Sequence, residues 1–149
     1  MTPLHASVTH STTQSVNDTT TTYLSFDTLI SQSNGMYITS ATDRITVPIR
    51  GLWLCTALVQ WEANAVGIRS TAISGQTPAA VEKRATVDSR VAVTGGTGTS
   101  ITLTAVFDLE AGDIVRVRVV QTSTGALLVT SSAPASMLTV SWLGHISGS

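Results

Sequence analysis

Three histidines, one cysteine and six dispersed aspartates are the side chains of this sequence that could do chemistry. A serine hydrolase needs a hydroxyl activated by an imidazole that a carboxylate orients. All three residue types occur. Triads assemble in space, so His5, His10 and His145 do not exclude one, but no Gly-x-Ser-x-Gly elbow is present to expose a strained serine. Catalysis is not expected. Cys55 has no partner for an internal disulfide. A reactive thiolate wants an electropositive, part-exposed setting, whereas Cys55 lies in the most apolar stretch of the chain and reads as a buried structural thiol. There is no His-x-His or paired-cysteine spacing for zinc, and Asp18, Asp27, Asp43, Asp88, Asp108 and Asp113 are scattered. Asp113 is expected to cap its own turn. Gly95-Gly96-Thr97-Gly98-Thr99-Ser100 superficially resembles a phosphate loop but lacks the lysine and the following helix, so it reads as a hairpin turn. Trp61 and Tyr37 could be platforms for stacking sugars. Packing is the expected role for both, and packing or rim rather than metal ligation for His145.

With chemistry receding, the elements themselves become the subject. Residues 50–61, RGLWLCTALVQW, carry no charge between Gly51 and Trp61. A strand over one core alternates apolar and polar, because successive side chains point to opposite faces. Here both faces are apolar or small. A buried helix could show the same run. Pro48 and Gly51 before it, Gly67 after it and a period near two in the neighbouring segments favour a strand. A strand apolar on both faces needs cover on both. One cover is a second sheet of the same chain; the other is a third layer or another copy of the protein, and another copy is the expectation taken here.

Composition agrees. The chain has 149 residues, enough for one domain with a real core and no disulfide staples. Charged residues are 11% of it, against roughly a quarter in ordinary soluble domains. Either partners cover much of the surface or threonine and serine solvate it. The formal net charge is −1, Lys83 is the sole lysine and the arginines are scattered, so no phosphate-tracking basic surface and no nucleic-acid partner are expected. Residues 1–12 lack the basic-then-apolar pattern of a secretory signal, and no window approaches the roughly 18 apolar residues of a membrane span. The expected site of synthesis is a cytoplasm.

Read in order, the chain alternates weakly over 6–10, turns at Asn17-Asp18, and is strand-like over 21–26. Residues 27–33 could be a helical turn or loop with Leu29 and Ile30 tucked inward. Asn34-Gly35 is a strong turn, and 36–38 a short edge segment. Ile45 and Val47 share a face before Pro48. After the central strand, taken as 52–62, a strand over 68–73 ends at Ser74-Gly75. Residues 80–87 form a half-exposed strand with Val81, Ala85 and Val87 on one face; Lys83 falls on that face and marks a protected edge. Residues 100–109 alternate cleanly, 110–113 turn, and 114–120 put Arg116 and Arg118 opposite Val115, Val117 and Val119. Residues 126–130 are a short strand. Residues 137–146 close the chain with Leu138, Val140, Trp142 and Ile146 on one face. About eight to ten strands and no convincing helix imply an all-β sandwich or barrel, a single domain over 1–149 with tails at 1–5 and 147–149.

Three segments together resemble the jelly roll shared by the complement 1q globular head and tumour necrosis factor. They are Ile45-Thr46-Val47-Pro48 leading into Gly51-Leu52-Trp53-Leu54, the turn Phe107-Asp108-Leu109-Glu110-Ala111-Gly112-Asp113-Ile114-Val115, and the closing apolar strand. Within that family the sequence is most similar to standalone heads of bacteriophage virion proteins. The matching residues are Leu24-Ser25-Phe26-Asp27, Asn34-Gly35-Met36, Val47-Pro48, Gln60-Trp61-Glu62-Ala63-Asn64 and Gly67-Ile68-Arg69. Trp53 stands where the family usually has tyrosine, Cys55 where it often has phenylalanine, and no collagen-like stalk precedes the head.

The resemblance implies a jelly-roll β-sandwich of two antiparallel sheets that assembles as a homotrimer, one sheet facing the three-fold axis. It assigns Trp53, Cys55, Leu103, Phe107 and Leu109 to each subunit's core, and Leu54, Thr56, Leu58, Thr102, Thr104 and Val106 to the interface. It implies a non-enzymatic virion protein, a minor tail part or capsid decoration, that binds host cell-surface carbohydrate or a neighbouring virion protein. The alternatives are a cement or adaptor with no host ligand and, last, a jelly-roll enzyme. No cofactor is implied; calcium is held by loop carboxylates in some members, but no aspartate here matches such a motif.

Overall fold

The computed structural model of the chain describes residues 4–93, 98–131 and 135–146. Twelve strands occupy them: β1 (His5–Thr9), β2 (Gln14–Val16), β3 (Thr22–Tyr23), β4 (Thr28–Gln32), β5 (Ile45–Thr46), β6 (Gly51–Trp61), β7 (Ile68–Gln76), β8 (Glu82–Val91), β9 (Thr99–Leu109), β10 (Ile114–Gln121), β11 (Leu127–Val129) and β12 (Met137–Gly144). No helix occurs among the described residues.

The central apolar run is a strand, β6, and the first sheet is built on it. Along one edge β6 pairs with β9 over its whole length, from Gly51–Leu109 to Trp61–Thr99. Along the other it takes β12, from Leu52–Gly144 to Leu58–Met137, and meets β11 at Trp61. The seven-stranded sheet has the order β2-β11-β6-β12-β1-β4, with β9 beside β6. The five-stranded sheet runs β3-β10-β7-β8, with β5 on β10. All pairings are antiparallel, and the two sheets close as a sandwich over one core.

Period-two alternation decides what enters that core. Trp53, Cys55, Ala57, Val59 and Trp61 point inward from β6, with Ile101, Leu103, Phe107 and Leu109 from β9 and Leu138 and Val140 from β12. Ile73, Val115, Val117 and Val119 meet them from the second sheet. Each large apolar side chain so buried contributes about 1.5–3 kcal/mol. The thiol of Cys55 has no exposure, and burial pushes its pKa up to about 12.

Several segments differ from their sequence reading. Residues 28–32 are a strand, not a helical turn, and Leu29 and Ile30 do not tuck inward. Ile30 is the extra residue of a bulge between the Ser7–Ser31 and Val8–Leu29 pairs, and β4 ends its sheet, so nothing lies beyond to cover either side chain. Residues 36–38 form no strand. Met36 and Tyr37 are buried instead, and the Tyr37 hydroxyl donates to the Phe26 carbonyl at 2.5 Å. β7 does not stop at Ser74-Gly75 but runs on to Gln76, with Gly75 lying so close under Leu109 and Phe107 that a Cβ there would sit 3.2 Å from each. The tail expected over 1–5 is shorter, because His5 opens β1 and the Leu4 carbonyl accepts from Trp142 N. β2, inside a stretch read as polar turn, pairs with β11. The largest difference is β8: the sequence pattern gives Val81, Ala85 and Val87 an apolar face, yet all three are exposed, because β8 is the outermost strand and pairs Ala85 and Val87 with Ser74 and Ala72 on the outer side of the sheet.

The turns follow their signals. Asn34 and Gly35 both have positive φ, 54° and 61°, as the tight turn favoured by Asn-Gly requires. At the Gly112-Asp113 turn the Asp113 carboxylate accepts from Glu110 N at 2.8 Å and pairs with Lys83 at 2.6 Å. Asp113 therefore caps its own turn. The glycine turn at 95–97 lies outside the described residues.

Candidate functional site

Among the described residues, the outer face of the seven-stranded sheet is an extended open surface whose middle is uncharged, with Asp108 beside Leu52 toward one end. Strand register arranges it in rows. One row reads Val106, Leu54, Ser141, His5. The next is a belt of hydroxyls across five strands, Thr104, Thr56, Thr139, Ser7, Ser31. The third reads Thr102, Leu58, Met137, Thr9, Thr28. These three rows hold no Asp, Glu, Lys or Arg. Val106, Thr102 and Thr104 are exposed, and Leu54, Thr56 and Leu58 are half-buried. All six residues assigned to an interface thus lie on one face, opposite Trp53, Cys55, Leu103, Phe107 and Leu109 in the core. Part of the belt bonds within the chain, Ser7 to Thr139 at 2.8 Å and His5 Nε2 to Ser31 at 3.0 Å.

The outer face of the five-stranded sheet is different in kind, and sequence reasoning did not find it. Arg116 lies over the Tyr23 ring, 3.4 Å from its centroid, and pairs with Asp43 at 2.6 Å. Asp43 also pairs with Arg44 at 2.9 Å. Gln76 donates to the Tyr23 hydroxyl at 3.1 Å and to Ser74 at 2.9 Å, Ser74 donates to Glu82 at 2.7 Å, and Glu82 pairs with Arg118. These long side chains roof the sheet so well that Ala72, Ser74 and Gln76 beneath them are buried. The hydrogen bond from Ser74, and Arg118 beside it, hold the Glu82 carboxyl below the usual carboxylate range against a smaller opposing effect of burial. At Asp43 burial works upward, but the Arg44 hydrogen bond and the charges of Arg116 and Arg44 together prevail and lower it. The alternation of Arg116 and Arg118 opposite three valines was a usable signal that two cations need partners. The partners themselves are far away in sequence.

The remaining chemical candidates resolve into structure. Trp61 and Tyr37 are buried, so neither can stack on a sugar. His145 packs edge-on against Trp142, ring centroids 5.0 Å apart. Asp27 accepts from Ser11 N at 2.7 Å and from the hydroxyls of Thr28, Ser11 and Thr12; the backbone bond from Ser11 leads in holding its pKa down at about 2. His10 is buried and bonds the Thr130 carbonyl at 2.9 Å. No three of His, Cys, Asp and Glu come together as metal ligands among the described residues.

No protein-family model matches the sequence, and no curated protein matches it. Solved structures do match. Murine APRIL aligns with a TM-score of 0.70 at 16% identity, covering 95% of this chain and 100% of that one. The Eiger TNF of S. frugiperda aligns with a TM-score of 0.66 at 14% identity, covering 98% and 96%. The globular domain of zebrafish complement 1qA aligns with a TM-score of 0.62 at 13% identity, covering 96% and 99%. Over nearly its whole length, then, the chain has the two-sheet jelly-roll fold of the complement 1q and tumour necrosis factor domains.

Proposed function

We propose that this protein is a non-enzymatic bacteriophage virion component, a homotrimeric head on the tail or capsid surface whose loops contact host cell-surface glycan or a neighbouring virion protein. The observation that carries the reading is the uncharged middle of the outer face of the seven-stranded sheet, with Leu54, Leu58 and Val106 set among hydroxyls. Covering several such side chains at about 1.5–3 kcal/mol each supports an obligate assembly of copies around a three-fold axis. The shared fold supports a binding module. The short matches to virion heads support the particle.

Those matches are structural in this chain. Leu24, Phe26, Trp61 and Arg69 are buried, and Asn34-Gly35 is a turn. They place the fold and leave recognition to the loops. Binding of the purified assembly to host cells or a glycan array tests the head directly. Retention on whole cells is the expected result. An assembled trimer that ignores cells and glycans but fixes to purified particles would make it a cement or adaptor. Activity lost on changing one histidine or aspartate, with folding intact, would overturn the non-enzymatic reading.

A further inference from the structure

β8 is a ten-residue strand held on one side only: among the described residues its ladder partner is β7, and no strand lies beyond it. Every second residue therefore turns its backbone N–H and C=O outward with no strand to meet them. Most of its side chains are exposed as well. They fall into two sets. Thr86 and Asp88 lie opposite Ile73 and Thr71, on the inward side, and alternation puts Arg84 and Arg90 there too. Ala85 and Val87 lie opposite Ser74 and Ala72, on the outer side. Asp88 pairs with Arg90 at 3.0 Å, whereas Arg84 is exposed and has no ion pair among the described residues.

Inward charge on an edge strand ordinarily blocks pairing with another strand. In β8 the charges block some registers and fit one. Antiparallel pairing of two copies about Val87 sets Arg84 against Arg90, and pairing about Asp88 sets two carboxylates face to face. About Thr86 the sequence is self-complementary. Arg84 meets Asp88 of the second copy, Asp88 meets its Arg84, and on the outer side Ala85 and Val87 meet its Val87 and Ala85. The extra residue at Lys83, where the ladder to β7 steps from Gly75–Arg84 to Gln76–Glu82, falls outside this block. Pairing about Ser89 also opposes Asp88 and Arg90, but it joins only residues 87–91 of the strand and leaves Arg84 unmatched.

We infer that β8 is a docking edge for β8 of a second copy of this chain, antiparallel about Thr86, so that two five-stranded sheets run on into one another. The contact is isologous, and each cross pair occurs twice. One strand edge is small beside the roughly 1,200 Å² of the smallest stable complexes. It therefore suits copies crowded on one surface and not dilute solution. It does not rest on the trimer, because two single chains or two assemblies pair in the same way.

The test oxidises the full chain carrying Thr86→Cys with diamide at about millimolar concentration, where weak contacts fill. Directly opposed residues of an antiparallel pair lie about 4.5–5.5 Å apart at Cα, within disulfide reach. A covalent two-chain product on a non-reducing gel is expected, and none from the unchanged chain, whose Cys55 is buried. Ser89→Cys should give none, because its two copies would stand roughly 20 Å apart along the strands. Adding Arg84→Asp to Thr86→Cys opposes like charges twice and should slow trapping at least about tenfold; adding Asp88→Arg as well should restore the rate. Equal trapping by Ser89→Cys and Thr86→Cys, or a rate indifferent to Arg84→Asp, overturns the idea. So does Arg84→Asp alone splitting a three-chain species into monomers by light scattering, which would assign β8 to the three-fold contact and leave the trimer standing. A monomer that still traps through Thr86→Cys would remove the trimer and keep the edge.

Discussion

The two outer faces of this sandwich are made by similar strands and finished in opposite ways. On the five-stranded sheet, Tyr23, Asp43, Gln76, Ser74, Glu82, Arg116 and Arg118 close a network over the backbone, and the residues beneath are buried by the chain itself. Over β10 and β7 that face is closed against water; toward its β8 edge Val87 and Val91 stay exposed. On the seven-stranded sheet the side chains are too short and too neutral to do the same, and Leu54, Leu58 and Val106 stay partly or largely in solvent. The contrast teaches that exposure alone does not mark an interface. A face is open to a partner when its own side chains have not already satisfied and covered one another.

The sharpest break between the faces should come from charge. Leu54→Glu or Leu58→Glu would place an unpaired carboxylate in the proposed contact and should convert the assembly to monomer, read as mass by light scattering. Arg118→Glu on the other face should leave the mass unchanged. If both lower the mass, or neither does, the distinction between the faces fails. Next in size is the core both faces share. Ile73→Ala removes a fully buried side chain and should cost about 2–5 kcal/mol in denaturant unfolding. A smaller loss follows from Arg116→Met, which keeps the stem over Tyr23 but removes one of the two cations paired with Asp43. It should cost roughly 1–2 kcal/mol without changing mass, a partly buried pair standing between exposed and fully buried ones.

Acid should act first on the charged face and on the Asp27 turn before β4. Asp27, Asp43 and Glu82 all have depressed folded-state pKa values, so their stabilisation is complete above the ordinary carboxylate range, near pH 4, and is lost as pH falls. For Asp27 the loss runs down to about pH 2. The melting temperature should drop between pH 5 and 2, and Asp27→Asn should flatten part of that slope. A slope unchanged in the variant would remove Asp27 from the explanation. The smallest expected effect is none at all. Cys55, fully buried with its pKa near 12, should resist alkylation in the native protein and react only on unfolding.

Much of this molecule could be read from period alone, and the exceptions have a common cause. β6, β9, β10 and β12 are long and sit over one core, so their inward residues stand out as every second position. β4 and β8 lie at sheet edges, and there alternation no longer reports burial: Leu29 faces inward where nothing covers it, Val87 shares the outer face with its partner Ala72, and both look like core residues and are not. Gly75 looks like a terminator but is a place where two sheets come close. The charged network was invisible for another reason. Arg116 meets Asp43 across 73 positions of sequence, and only the ordering of β5, β10, β7 and β8 brings such residues together. The open face was legible because it needs no long-range pairing to be recognised, only a strand apolar or small on both sides.

The central claim is that copies of this chain cover one another's seven-stranded sheets. Light scattering on the eluting protein, across concentrations from the low micromolar range upward, tests it most directly. The account expects a single species of three chain masses at every concentration. A stable monomer at micromolar concentration would contradict it.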